Sequence, residues 1–69
     1  MKIWKTHSPL AATRPSKGTA TLYIPAGEEL EEGAPESTDS PTRIRLYWKG
    51  EIESYIVSLA DLEANANPA

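Results

Sequence analysis

RIRLYWKGEIESYIVSL, residues 43–59, is the one stretch of this chain that specifies its own shape. Ile44, Leu46 and Trp48 alternate with Arg43, Arg45, Tyr47 and Lys49, and Ile52, Ser54 and Ile56 alternate with Glu51, Glu53 and Tyr55. A period of two is that of half-buried strands, so the stretch predicts a β-hairpin turning near Lys49-Gly50. A two-residue turn there would set Trp48 opposite Glu51 and Leu46 opposite Glu53. Cross-strand partners share a face, so that register would carry carboxylates onto the apolar side. A three-residue loop Trp48-Lys49-Gly50 instead pairs Tyr47 with Glu51, Leu46 with Ile52, Arg45 with Glu53 and Ile44 with Ser54. It also gives Gly50 the positive φ of a type I turn followed by a G1 bulge. In this register Ile44, Leu46, Ile52 and Ile56 are buried together, while Arg43, Arg45, Tyr47, Glu51, Glu53 and Tyr55 face outward.

Outward from the hairpin the chain reads as short strands and loops. Residues 19–24, TATLYI, are rich in β-branched and aromatic residues and predict a strand, with Pro25-Ala26-Gly27 turning the chain after it. Residues 1–8 read as an edge strand through Ile3 and Trp4. Pro9 and Pro15 bracket LAATR, which is expected to be a connecting loop because proline cannot donate to a ladder. Residues 28–41, EELEEGAPESTDSP, are low in apolar side chains and rich in Glu, Pro, Ser and Thr, and are expected to be a mobile acidic loop. After the hairpin, Ser58 can cap a short helix whose Leu59 and Leu62 pack back on the sheet and whose end Asn65 can close. Residues 66–69 are expected to fray as a C-terminal tail. The expected fold is mostly β: one domain over residues 1–65, an antiparallel sheet of three or four strands curled like an SH3-type half-barrel, with a short C-terminal helix.

With 69 residues and no cysteine, the core is small and neither disulfides nor thiolate metal sites can staple it. No run is long enough for a membrane helix and residues 1–16 contain no apolar signal core, so a soluble, cytoplasmic protein is expected, with no membrane partner. The net charge is −3, but its distribution says more. Lys2, Lys5, Arg14 and Lys17 are the only charges up to Gly27; Glu28, Glu29, Glu31, Glu32, Glu36 and Asp39 follow as one acidic block. Either the two blocks reduce each other's field within the fold, or the acidic block meets a basic partner.

Catalytic motifs are missing from the sequence. His7 is the one imidazole, no paired His, G-x-S-x-G or Gly-rich phosphate loop accompanies it, and no enzyme is expected. The acidic block lacks the alternating oxygen ligands of a calcium loop, so neither metal nor cofactor is expected. Function therefore falls to binding. The favoured expectation is a protein-binding module that uses Glu28, Glu29, Glu31, Glu32, Glu36, Asp39, Tyr47 and Tyr55 against a protein with a basic surface, one built for nucleic acid. Small size, acidity and the lack of catalytic residues resemble, in composition, the small inhibitors that phages make against host machinery, which would make this a viral protein. Two alternatives come from other classes. One is a nucleic-acid-binding sheet using Arg43, Arg45, Tyr47 and Tyr55, disfavoured by Glu51 and Glu53 on the same face and by the net charge. The other is a structural subunit of an assembly. A homodimer is expected from the unhidden sheet edges, with Tyr47, Tyr55 and Val57 at its interface.

Overall fold

In a computed structural model that describes residues 2–18, 20–35 and 42–69, the chain forms seven strands, a single 3-10 turn at Pro15–Lys17 and one short α-helix. The strands are β1 (Ile3–Thr6), β2 (Leu10–Thr13), β3 (Thr21–Ile24), β4 (Glu29–Pro35), β5 (Arg43–Trp48), β6 (Tyr55–Ser58) and β7 (Ala66–Pro68), and α1 (Leu59–Asn65) precedes β7. All pairings are antiparallel, in the order β3-β2-β6-β5-β4-β1-β7. The mostly β, antiparallel architecture with a short C-terminal helix is as expected; three or four strands were too few.

The shape follows from β1 and β2. Only residues 7–9 separate them, yet β1 lies beside β4 and β2 beside β6. One kinked segment thus borders both flanks of the β4-β5-β6 meander, and the sheet must curl round a shared interior. That interior holds Trp4, Leu10, Leu30, Leu46, Val57 and Leu62, with Ile24, Ile44 and Tyr55 beside them. Thr6 is buried among them and fully used. Its hydroxyl donates to the Pro25 carbonyl at 2.7 Å and accepts from the Glu28 amide at 2.9 Å. Its own carbonyl takes the Gly27 amide at 2.7 Å, so the 25–28 turn closes on β1, with Gly27 at φ 87°.

Three segments expected to lie outside the sheet are strands. Residues 10–13 form β2 with Leu10 and Ala12 inward; Pro9 and Pro15 flank this strand and remove no ladder donor from within it. The expected tail forms β7, where Ala66 is buried and pairs with Thr6. The acidic segment supplies β4, paired on both sides by β1 and β5. A mobile loop was expected there because Leu30 and Ala34 are the segment's only apolar side chains, but β4 also buries through its polar groups, as described below. Glu36 and Asp39, with the rest of residues 36–41, lie outside the described residues.

The hairpin is present and its register differs from the one expected. Leu46 pairs with Tyr55, Arg45 with Ile56, Ile44 with Val57 and Arg43 with Ser58. The turn is the two-residue form: Lys49 and Gly50 both have positive φ, 57° and 68°, as a type I′ turn requires, and the Glu51 amide donates to the Trp48 carbonyl at 3.0 Å. The objection to this turn was that Glu53 would face Leu46. It is met by residues 51–54, which leave the ladder, so that Tyr55 rather than Glu53 arrives opposite Leu46. The offset is two residues, which preserves the alternation of faces. Tyr55 and Val57 are consequently buried in the core, not exposed, and Ile52 is 97% exposed, not buried. Ile56 is buried, but on the opposite face from Ile44, in a shallow cleft with Ala11, Thr13, Thr21 and Arg43.

The helix begins after Ser58 as expected, without a side-chain cap bond; the Leu59 amide donates to the Thr42 carbonyl instead. Leu62 is fully buried and Leu59 packs against the core. Asn65 closes the helix through its Nδ2, which donates to the Asp61 carbonyl, while its Oδ1 accepts from Ser8 Oγ.

Candidate functional site

Alternation along β4 sorts the acidic block into two sets. Leu30 faces inward opposite Trp48 and Trp4, and Glu28 and Glu32, two residues to either side, share that inward face. Each takes an indole N–H. Trp48 Nε1 donates to Glu28 Oε1 at 2.9 Å, and Trp4 Nε1 donates to Glu32 Oε1 at 2.7 Å. A tryptophan that is largely buried needs an acceptor for its one polar atom, and a charged acceptor strengthens the bond. Glu28 and Glu32 are therefore structural acids, half-buried and occupied.

Glu29 and Glu31 project the other way and are exposed. Among the described residues neither makes an ion pair or a side-chain hydrogen bond. Glu31 pairs with Tyr47 on one side and Ile3 on the other, and Glu29 stands opposite Lys5. Tyr47 lies over Gly33, where an added Cβ would come within 2.7 Å of the ring, so the tyrosine occupies the space that the missing side chain leaves open. Just beyond, the β4–β5 ladder slips by one residue between Glu32 and Pro35, a bulge on the β4 side. A cleft of about 190 Å³ has Ile3, Glu29, Glu31, Tyr47 and Lys49 in its wall. A second, of about 350 Å³, runs along Glu31, Glu32, Gly33, Tyr47 and Glu51. Tyr47 and Glu31 line both.

Arg14 organises the neighbouring loop. Its Nη2 lies 3.3 Å from Glu51 Oε1 and its Nε 2.6 Å from Glu53 Oε1, and its guanidinium sits 4.7 Å from the centre of the Tyr55 ring. The Nε contact is close but not in line for a hydrogen bond, so its attraction is that of an ion pair. The Tyr55 hydroxyl donates to Glu51 Oε1 at 2.8 Å. Hydrogen bonding from Ser16, helped by the Arg14 charge, holds the Glu53 carboxyl below its usual range. Burial, with the hydrogen bond to Glu51, pushes the Tyr55 phenol up. Glu53, expected opposite Arg45, is thus claimed by Arg14, and Arg45 faces Ile56. Nothing local in the sequence announces this cluster, since Arg14 lies far from residues 51–55 along the chain.

Of the residues expected to bind a partner, the fold brings Glu29, Glu31 and Tyr47 together on one exposed face. It assigns Glu28 and Glu32 to the tryptophans and places Tyr55 in the core. Arg43, Arg45 and Tyr47 do share one face of β5, but Tyr55 is on the other face, which removes one ring from the set expected to stack bases. His7 is exposed, and Ser8 Oγ donates to Asn65 Oδ1 at 2.6 Å rather than to the imidazole. Among the described residues no group of three or more His, Cys, Asp or Glu could hold a metal ion, and no helix is long and apolar enough to cross a membrane. No family model, curated protein or solved structure matches the chain.

Proposed function

We propose that this chain is a non-catalytic protein-binding module whose face at Glu29, Glu31 and Tyr47 meets a basic surface on another protein. The observation that carries the proposal is the sorting along β4: the inward carboxylates are bound to indole N–H groups, while the outward pair is exposed beside a tyrosine and lines two clefts. A lysine or arginine laid across Tyr47 would meet both carboxylates and the ring face, and exposed acids steer a basic partner toward encounter. The more specific form of the proposal is an inhibitor of the kind phages make, occupying the basic surface of a host protein that binds nucleic acid. Its support is the chain's acidity and small size.

The sheet is proposed to be a half-barrel of the SH3 type. Supporting this are the three-strand meander β4-β5-β6, the β2–β3 hairpin at one edge, and the short helix that returns the chain beside β1. The test of the binding proposal is affinity capture from the native host with the parent chain and with Glu29→Gln/Glu31→Gln, at low and high salt. The parent should retain a basic protein at low salt that the double variant loses, and added salt should shrink the difference. Equal retention by both chains at low salt rejects the proposal.

A further inference from the structure

The two edges of the sheet are not equivalent. β7 ends in Pro68, which has no N–H to offer a further strand, whereas β3 reads Thr-Leu-Tyr-Ile without a charge, a proline or a glycine. Among the described residues β3 has β2 as its one strand partner, so one side of its backbone is unpaired. Tyr23 is 66% exposed on this edge, one of two large apolar side chains so exposed among the described residues, while Leu22 is half-buried and Ile24 fully buried. Natural edges are blunted by lysine, proline or a bulge, and β3 carries none of these guards within the strand.

We infer that β3 is a self-association edge: two copies of the chain pair antiparallel through Thr21–Ile24 about a two-fold axis, with Tyr23 opposite Tyr23 of the second copy. The register follows from face matching. A two-fold perpendicular to the sheet keeps both interiors on one side, so a residue can face only residues of its own parity. Centring on Tyr23 sets Leu22 opposite Ile24 of the second copy and covers each exposed ring with its symmetry mate. Direction follows from the same axis, which relates the two strands only antiparallel. Four residues a side fall well short of the roughly 1,200 Å² of a standard stable interface, so the dimer is weak and reversible.

Sedimentation equilibrium of the parent chain from about 10 µM to about 1 mM, the range in which so small an interface associates, is the first test. A monomer–dimer equilibrium is expected. Tyr23→Lys, which alters an exposed side chain, should leave the melting temperature in place and weaken association about tenfold or more, because it sets like charges opposite one another. The chain has no cysteine, so Tyr23→Cys should give a single disulfide-linked dimer on air oxidation. Thr21→Cys, whose thiols would lie about 13 Å apart along the strand, should not. A monomer throughout the range, association indifferent to Tyr23→Lys, or equal cross-linking by the two cysteine variants overturns the inference.

Discussion

Glu28-Glu29-Leu30-Glu31-Glu32 and Glu51-Ile52-Glu53 are alike as sequence, each an aliphatic residue set among acids. In the fold Leu30 is fully buried and Ile52 is 97% exposed. Neither hydrophobicity nor local charge separates them. The difference lies in what receives the carboxylates. Around Leu30 the acids on the same face are Glu28 and Glu32, and the N–H groups of Trp48 and Trp4 stand where those carboxylates arrive, so the leucine can enter the core without stranding a charge. Around Ile52 the acids go to Arg14 and the Tyr55 hydroxyl, outside the ladder, and the isoleucine between them is carried outward.

The largest test of this contrast is at Leu30 itself. Leu30→Ala removes a wholly buried side chain at the meeting of β1, β4 and β5 and should cost about 2–5 kcal/mol, read as a fall in the urea midpoint. Leu30→Met, close in volume, should cost less than about 1.5 kcal/mol. If the alanine variant is as stable as the parent, β4 is not part of the core.

Next comes the role of the inward acids. Glu32→Ala leaves the Trp4 indole N–H in a largely buried site without its acceptor and should cost about 1–3 kcal/mol. Glu32→Gln keeps a carbonyl oxygen there and should recover most of that loss. In a domain of this size each kcal/mol moves the melting temperature by roughly 4–8 °C, so thermal denaturation separates the two variants. Equal loss from both would mean that the charge, not the hydrogen bond, holds β4 in place.

These contacts also explain what the sequence could and could not disclose. The alternation of Ile44, Leu46 and Trp48 is enough to predict β5, and TATLYI is enough to predict β3, which spans Thr21–Ile24 while Thr19 lies outside the described residues, because burial on one face leaves a period of two. Ser58 at the helix start, with Leu59 and Leu62 behind it, likewise sufficed to place α1, although the serine side chain makes no cap bond. β4 was illegible because its inward row is Glu-Leu-Glu, apolar only at the centre, and its acids become suitable for an interior only when two tryptophans from distant strands supply donors. The hairpin register was illegible for a related reason. Keeping Ile52 in the core was the economical choice on hydrophobicity alone, and nothing near it shows that Arg14 draws residues 51–54 out of the ladder. Of the candidate face, Glu29, Glu31 and Tyr47 are legible in the sequence, but Gly33 beneath the ring is not, since the need for a missing side chain appears only when β4 and β5 are adjacent.

The Arg14 clasp sharpens the comparison through pH. The Glu53 carboxyl is held below its ordinary 4.5, first by Ser16 and then by Arg14, so its folded state prefers the charged form. Stability from this contact is therefore complete above about pH 4.5 and is lost as pH falls through the folded value. Glu53→Gln should melt below the parent at neutral pH, and the two curves should converge on acidification. Tyr55 acts at the other end. Its raised phenol favours the neutral form, so that stability is present below pH 10 and lost above it as pH rises through the folded value. A constant difference between parent and Glu53→Gln from neutral to acid pH would remove Glu53 from the clasp.

The smallest expected effect is at Ile52, and it discriminates between the two hairpin registers most directly. If Leu46 paired with Ile52, the isoleucine would belong to the core, and truncating it would cost the 2–5 kcal/mol typical of a buried aliphatic residue. With Leu46 paired to Tyr55, Ile52 is 97% exposed and its side chain removes almost nothing from water in the folded state. Ile52→Ser should then change stability by no more than about 0.5 kcal/mol in either direction, as surface substitutions do. Tyr55→Ala, by contrast, deletes a ring that packs edge-on against Trp48 at 5.7 Å and lies beneath Arg14, and should cost about 3 kcal/mol or more, as loss of a buried aromatic ring does. Equilibrium urea unfolding of both variants reads the register as a ratio: a large loss at position 55 with none at 52 places the two-residue offset in solution. The reverse order would return Ile52 to the core and Glu53 to the side of Arg45.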